Sequence, residues 1–437
     1  MLYISAILYL ACIYIRPAEI FIGWRNVAVL DLLTLVSIFL GAWQWLVEPR
    51  RFWNVPQDKC MLGLWASAVI SNLVWGWFGG ALLALTRLSG VVFCYFLLRL
   101  AITTPGRLRG MVATVICLTL FQAINGVAQY HTGVGVGNVT VFASTFNTVE
   151  GAEAVDDAVL IPRIRGTGIF NDPNDLALTL VICVPFVLGL VGSRSSSLVG
   201  RFVGIAVLVP MLLAIYYTNS RGGVIALGGV IVSQAFRSRG KAVGLAVATL
   251  GLVALIAAGP SRIARIDSSE ASAQGRIQAW SAGLQMFKAQ PVFGVGFGRY
   301  TDFHDRVAHN SFVHTLAELG FVGAFCLVGA FYWFFQSISS VHFDNRDITL
   351  SSKRLRGEFV VSGVALIAAA SFLSRQYNLV PYILLSLGAS YVATVQSEDR
   401  VAELRWRFVD VTNIALLTAA GITVTYLVVR TYAIWSR

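Results

Sequence analysis

Charge is scarce in this sequence. Only 13% of its 437 residues are Asp, Glu, Lys or Arg, against roughly 25% in an average soluble domain. That shortage excludes a soluble enzyme of ordinary composition. Cysteine is scarce too. The six cysteines (Cys12, Cys60, Cys94, Cys117, Cys183 and Cys326) sit inside or at the edges of apolar runs, with no C-x-x-C spacing. Neither a disulfide framework nor a zinc site is indicated, and the thiols read as small apolar packing groups. The helix expected from Leu2 has no charged segment before it and no cleavage signal after it, so it reads as a retained span and not a signal peptide. No internal repeat or low-complexity tract is evident. No nucleic-acid motif accompanies the net charge of +11, so nucleic acid is not an expected partner.

What the chain has in excess is apolar length. Hydrophobic residues make up 57%, and the mean hydropathy is +0.72. Apolar runs of about 17–25 residues recur along the sequence, each long enough to cross roughly 30 Å of hydrocarbon. The runs are continuous and not alternating, which selects helices over a barrel. Expected spans fall at about 2–15, 27–47, 60–78, 80–100, 110–130, 174–192, 201–218, 221–236, 241–259, 310–337, 357–373, 379–395 and 409–430. The reading is an all-α polytopic membrane protein with about 12–13 transmembrane helices. It forms a single integral membrane domain over 1–437.

The positive charges orient it. One set of loops carries Arg50, Arg51, Lys59, Arg99, Arg107, Arg109, Arg194, Arg201, Arg237, Arg239, Lys241, Arg346, Lys353, Arg354, Arg356, Arg400, Arg405 and Arg407. The short loops of the other side carry only Arg16, Arg25, Arg221 and Arg375, with Arg430 and Arg437 at the C-terminal end. The first set is therefore cytoplasmic, and two long polar loops, about 131–173 and 260–309, face outward. In a bacterium with two membranes, outward is periplasmic. Within the second loop, Ile277, Trp280, Leu284 and Phe287 share one face at helical spacing. That predicts a basic amphipathic helix on the membrane surface. Asn310 or Ser311 is placed to cap the span that follows.

Four stretches could carry chemistry: RIRGTGIFNDPNDLAL from Arg163, TNSRGG around Arg221, GRIQAW with Arg276, and HNSFVHTLAELG with His309, His314 and Glu318. Arg221 lies in a turn too short to leave the membrane boundary, where a cation at depth costs about 2.5–3.5 kcal/mol. Capping of carbonyls or snorkelling to head groups would compensate, and so would a bound anion. Arg276 alone could be a head-group anchor. His309 precedes a helix start, whose dipole favours a neutral imidazole able to accept a proton from a hydroxyl. His314 and Glu318 meet at i,i+4, as a structural pair or as substrate ligands. In the first stretch Arg165, Asn171 and Asn174 are candidate substrate-binding residues. Asp172 and Asp175 there could hold a divalent cation, although turn and cap chemistry explains them as well. Together the stretches suggest a site for a lipid-borne phosphate, since a guanidinium fork engages phosphate oxygens in pairs and stays charged.

At these residues the chain resembles the O-antigen ligase and polymerase superfamily of bacterial membrane glycosyltransferases. SRGG around Arg221, GRIQAW around Arg276, and FGVGFGRY followed by HNSFVHTLAELGFVG carry the resemblance, over roughly Arg163 to Gly323. It implies a GT-C-like fold, an active site facing the periplasm from the inner membrane, and a polyprenyl-diphosphate-linked glycan as donor. The implied acceptor is a glycan or lipid A–core. Arg221 and Arg276 would bind and neutralise the diphosphate. His309 would orient or deprotonate the acceptor hydroxyl in an inverting reaction without metal or other cofactor. The family divides into ligases, polymerases, protein-glycosylating enzymes and relatives labelled inorganic-carbon transporters. RGTGIFNDPNDLAL is more similar to exopolysaccharide-cluster members. The chain lacks the extra C-terminal soluble region of many protein-glycosylating members, which lowers that option. The competing class is a polytopic transporter of a small anion such as bicarbonate. It predicts an internal repeat, interrupted helices and ionisable groups deep in spans, for which Arg87 and Glu318 are the candidates.

Overall fold

A computed structural model describes the chain apart from residue 22 and residues 24–27, 48–54, 146–159, 193–196, 258–266, 342–349, 396–403 and 436–437. The orienting charges Arg25, Arg50, Arg51, Arg194, Arg346, Arg400 and Arg437 lie outside the described residues, as do parts of both outward loops. In chain order the helices are α1 (Leu2–Ile15), α2 (Pro17–Ile20), α3 (Val29–Val47), α4 (Pro56–Leu73), α5 (Phe78–Ala101) and α6 (Pro105–Thr132). They continue as α7 (Pro173–Gly192), α8 (Leu198–Tyr217), α9 (Arg221–Arg239), α10 (Lys241–Ala257), α11 (Asp267–Ala289) and α12 (Tyr300–Phe303). The last four are α13 (Ser311–Ser339), α14 (Leu350–Ala370), α15 (Leu379–Val395) and α16 (Phe408–Trp435). Two short strands, β1 (Phe142–Thr145) and β2 (Leu160–Arg163), pair antiparallel with Phe142 opposite Arg163. The hydropathy reading had no place for this hairpin, because it sits in a polar loop.

The chain is a multi-pass all-α membrane protein. Each of the thirteen expected spans falls on a helix, but among the described residues eight helices are long and apolar enough to cross a membrane. The other five, α4, α9, α10, α14 and α15, are helices whose apolar stretch is shortened by polar turns or by length. α4 opens on PQDK, α9 closes on RSR and α14 opens on LSSKRLRGE, and each such polar turn shortens the apolar stretch. Two further apolar helices, Lys241–Gly251 and Leu379–Val395, are shorter.

Two compact units divide the chain. The first comprises Met1–Gly41, Gly106–Ala271 and Arg346–Ala369. Its centre is α7, apolar all round and buried at nearly every position from Pro173 to Val187, as a helix enclosed by others should be. α8 and α9 pack against it, and Ser362 of α14 donates to the Ile182 carbonyl at 2.8 Å. Gln122 of α6 ties down the loop that leads into α7. Its amide donates to the Tyr14 carbonyl at 2.5 Å and to the Thr167 hydroxyl at 2.8 Å, and it accepts from the Thr167 N–H at 3.0 Å. The buried glutamine thereby has both ends of its amide paired, as burial demands.

The second unit comprises Ala42–Pro105, Ser272–Asn345 and Ala370–Arg437. Here α15 is enclosed, with every residue from Val380 to Val392 buried, and α13 packs against α4, α15 and α16. Asp58 and Arg99 form a buried ion pair at 3.3 Å that Tyr95 completes by donating to Asp58 at 2.7 Å, fastening α4 to α5. These charges were not anticipated inside the bundle.

The defining feature of this unit is a broken helix. α13 loses helical geometry at Gly320 (φ 63°, ψ −160°), a conformation open to glycine because it has no Cβ. A break inside an apolar span frees backbone groups that lipid cannot satisfy. The glycine-rich segment Pro291–Gly298 satisfies them: Val295 and Gly296 N–H donate to the Ala317 and Glu318 carbonyls at 3.0 Å each. In return the Phe321 and Val322 N–H groups donate to the Pro291 and Val292 carbonyls at 2.8 and 3.2 Å. The same segment is held on α4, where Ser71 accepts from the Phe297 N–H at 3.0 Å, and just beyond its end, where the Trp75 indole donates to the Gly294 carbonyl at 3.1 Å. An interrupted helix was an expectation of the transporter reading. In this chain the freed groups are paired by protein.

Candidate functional site

The candidate residues fall into both units, and the two groups are built alike. In the first unit Asn219 adopts a left-handed φ of 47°, Ser220 is the N-cap of α9, and Arg221 is its first helical residue. The Ser220 hydroxyl accepts from the Gly223 N–H at 3.2 Å and donates to the Asn174 side chain at 2.8 Å. In the second unit His309 has φ 48°, Asn310 is the N-cap of α13, and Ser311 is first in the helix. Asn310 accepts from the Phe312 and Val313 N–H groups at 2.9 and 3.1 Å. A side chain on a left-handed residue carries backbone strain that the surroundings must hold, and such residues concentrate at functional sites. Both Arg221 and His309 are exposed.

Around Arg221 the first stretch is clamped to the turn. The Arg163 guanidinium donates to the Thr218 carbonyl at 2.9 Å and to the Asn174 side chain at 3.2 Å. Asn219 donates to the Pro162 carbonyl at 3.2 Å. Burial pushes the Arg163 guanidinium below its ordinary range, with Asp172 opposing. Arg165 is half-buried, donates to the Thr140 carbonyl at 3.0 Å and to the Asn171 side chain at 2.9 Å. Asn174 therefore sits between Arg163 and Ser220, while Asn171 and Arg165 hold each other beside Thr140. Asp172 accepts from the Asn174 N–H at 2.7 Å, and its carbonyl accepts from the Asp175 N–H at 3.1 Å, the turn chemistry that leads into α7.

In the second unit, Arg276 lies on α11, half-buried. One turn on, the Trp280 indole donates to the Ala308 carbonyl at 2.8 Å, joining the Arg276 helix to the residue before His309. Met286, Val295, Tyr300, Ala308, Val313 and Ala317 form a buried cluster beneath, with Trp280 packed on it. A second cluster joins Leu284 to Leu316 and Ala324, with Phe287, Ile422 and Val429 against it. The apolar face of α11 thus meets protein. Spacing identified the apolar face, and Trp280, Leu284 and Phe287 on it pack against protein.

His314 and Glu318 pair at 3.1 Å across one turn of α13. Glu318 is almost wholly buried, and two residues missed in the sequence complete its partners. It accepts from the Tyr300 N–H at 3.0 Å and from the Tyr377 hydroxyl at 2.9 Å. Burial, reinforced by the Glu318 charge, pushes both tyrosine hydroxyls above their ordinary range, so Tyr377 remains a donor. The segment carrying Tyr377 is docked on the start of α13. Ser311 donates to the Leu373 carbonyl at 2.6 Å and accepts from the Arg375 N–H at 2.9 Å. Tyr300 is the last residue of the quoted FGVGFGRY motif, where it was given no role. Tyr377 carried no local signal, because its partner lies 59 positions away.

These contacts gather a guanidinium helix, a strained histidine and a buried carboxylate network in one unit, and a strained turn presenting an arginine in the other. A family model described as O-antigen ligase matches residues 206–328. That segment contains Arg221, Arg276, His309, His314 and Glu318, and stops short of Arg165, Asn171 and Asn174. No curated protein matches the chain significantly. The match covers 123 of the 437 residues and, on a fold of many apolar helices, supports a likeness to the O-antigen ligase/polymerase superfamily.

Proposed function

We propose that this protein is a periplasm-facing glycosyltransferase of the bacterial inner membrane. It moves a glycan from a polyprenyl-diphosphate carrier to an acceptor hydroxyl, as a repeat-unit polymerase or an O-antigen-type ligase in cell-surface or exopolysaccharide synthesis. The observation that carries this reading is the Trp280–Ala308 hydrogen bond of 2.8 Å, which ties the Arg276 helix to His309 inside the matched segment. His309 accepts the acceptor hydroxyl proton as the oxygen attacks the anomeric carbon from the face opposite the leaving group. The bond from that carbon to the phosphate oxygen breaks, its electron pair leaves with the lipid diphosphate, and the configuration inverts. Arg276 and Arg221 neutralise the charge growing on the diphosphate, a task fixed guanidinium groups perform without reorganising. The donor is a lipid-linked glycan and the acceptor a glycan or lipid A–core; no step calls for a metal or cofactor.

The reading is tested in a strain lacking the gene, by separating lipid-linked from finished glycans. Accumulated single lipid-linked repeats, restored to long chains by wild type but not by His309→Ala, identify a polymerase. Accumulated long lipid-linked chains identify a ligase. Unchanged pools would sink the transferase reading and bring transport of a small anion forward.

A further inference from the structure

Arg306 lies in the segment between α12 and His309, and its side chain has a place that the proposed reaction leaves unused. Its backbone N–H donates to the His304 ring at 3.1 Å, fixing the turn three residues before His309. From there the guanidinium reaches α11. Its Nη1 lies 3.4 Å from where a Cβ on Gly275 would stand, directly beside Arg276 in sequence. Glycine is a poor residue for a helix interior, and the Arg306 guanidinium lies at contact distance from this one. The neighbouring Arg299 is paired with Asp302 at 3.1 Å. Among the described residues no carboxylate pairs with the Arg306 guanidinium.

We propose that Arg306 is a second diphosphate-binding residue, working with Arg276 at the Gly275–Arg276 turn of α11. The proposal rests on the transferase reading above. A diphosphate presents two phosphoryl groups, and one guanidinium fork engages one of them in a paired contact. Bringing a second guanidinium to the same helical turn gives the other phosphoryl its own fork.

The test uses the full-length protein carrying His309→Ala, so that binding is read without turnover, in nanodiscs with polyprenyl diphosphate and polyprenyl monophosphate as probes. Adding Arg306→Ala should weaken diphosphate binding by about tenfold or more, the loss of a charged hydrogen-bonded contact, and monophosphate binding far less. Arg306→Lys should restore only part of the loss, because an ammonium lacks the fork. Arg306 is exposed, so size-exclusion profiles should stay unchanged. Undiminished diphosphate binding in Arg306→Ala would overturn the proposal, as would equal losses for both lipids. If the parent protein binds no diphosphate lipid, the transferase reading itself falls and the assignment falls with it.

Discussion

Glu318 shows most directly what one residue contributes. A carboxylate with 1% exposure survives in an apolar bundle because His314, the Tyr300 N–H and the Tyr377 hydroxyl surround it. Removing one partner of a buried charged network typically costs about 3–5 kcal/mol. Glu318→Ala should therefore lower the thermal unfolding midpoint in detergent sharply, and Glu318→Gln less, since an amide still accepts from Tyr377. Equal midpoints for wild type and Glu318→Ala would remove the network from the account. Tyr377→Phe should cost about 1–3 kcal/mol, the price of one hydrogen bond to a charged acceptor. The i,i+4 pairing of His314 with Glu318 was legible in the sequence because helical spacing is local. The tyrosines were not, because partners 18 and 59 positions away leave no periodic trace.

Among the elements, α13 carries the argument. Its start was legible: Asn310 before an apolar run is a capping signal, and Asn310→Ala should destabilise by about 1 kcal/mol, read from the same unfolding curves. Its interruption was not legible, because the apolar run passes through Gly320 without a change in hydropathy. Only the backbone pairing of Pro291–Gly298 with residues 317–322 reveals it. At φ 63° and ψ −160° a Cβ is strained, and held in such a region it costs about 1–3 kcal/mol. Gly320→Ala should lower both the unfolding midpoint and glycan transfer, since the same strand of backbone leads through α12 to His309. A variant with wild-type transfer and midpoint would show that the break is incidental. The face of α11 teaches the complementary lesson. Its apolar stripe was visible in the spacing, and the structure packs Leu284 and Phe287 of that stripe with residues of α13 and α16.

For the whole molecule, hydropathy was sufficient for the class and placed each expected span on a helix, although α4 and α14 carry polar first turns that shorten their apolar stretches. The four chemical stretches were legible as motifs, and two of them, around Arg221 and His309, are held as left-handed residue, cap, then helix. The central claim is that Arg221, Arg276 and His309 carry glycan transfer from a lipid diphosphate. The most direct measurement is transfer by the purified full-length protein in liposomes, supplied with lipid-linked glycan and acceptor, for wild type, Arg221→Ala, Arg276→Ala, Arg276→Lys and His309→Ala at matched protein level. The account predicts transfer by wild type, loss in all three alanine variants, and poor recovery in Arg276→Lys. Full transfer by the three alanine variants, at normal insertion, would contradict it.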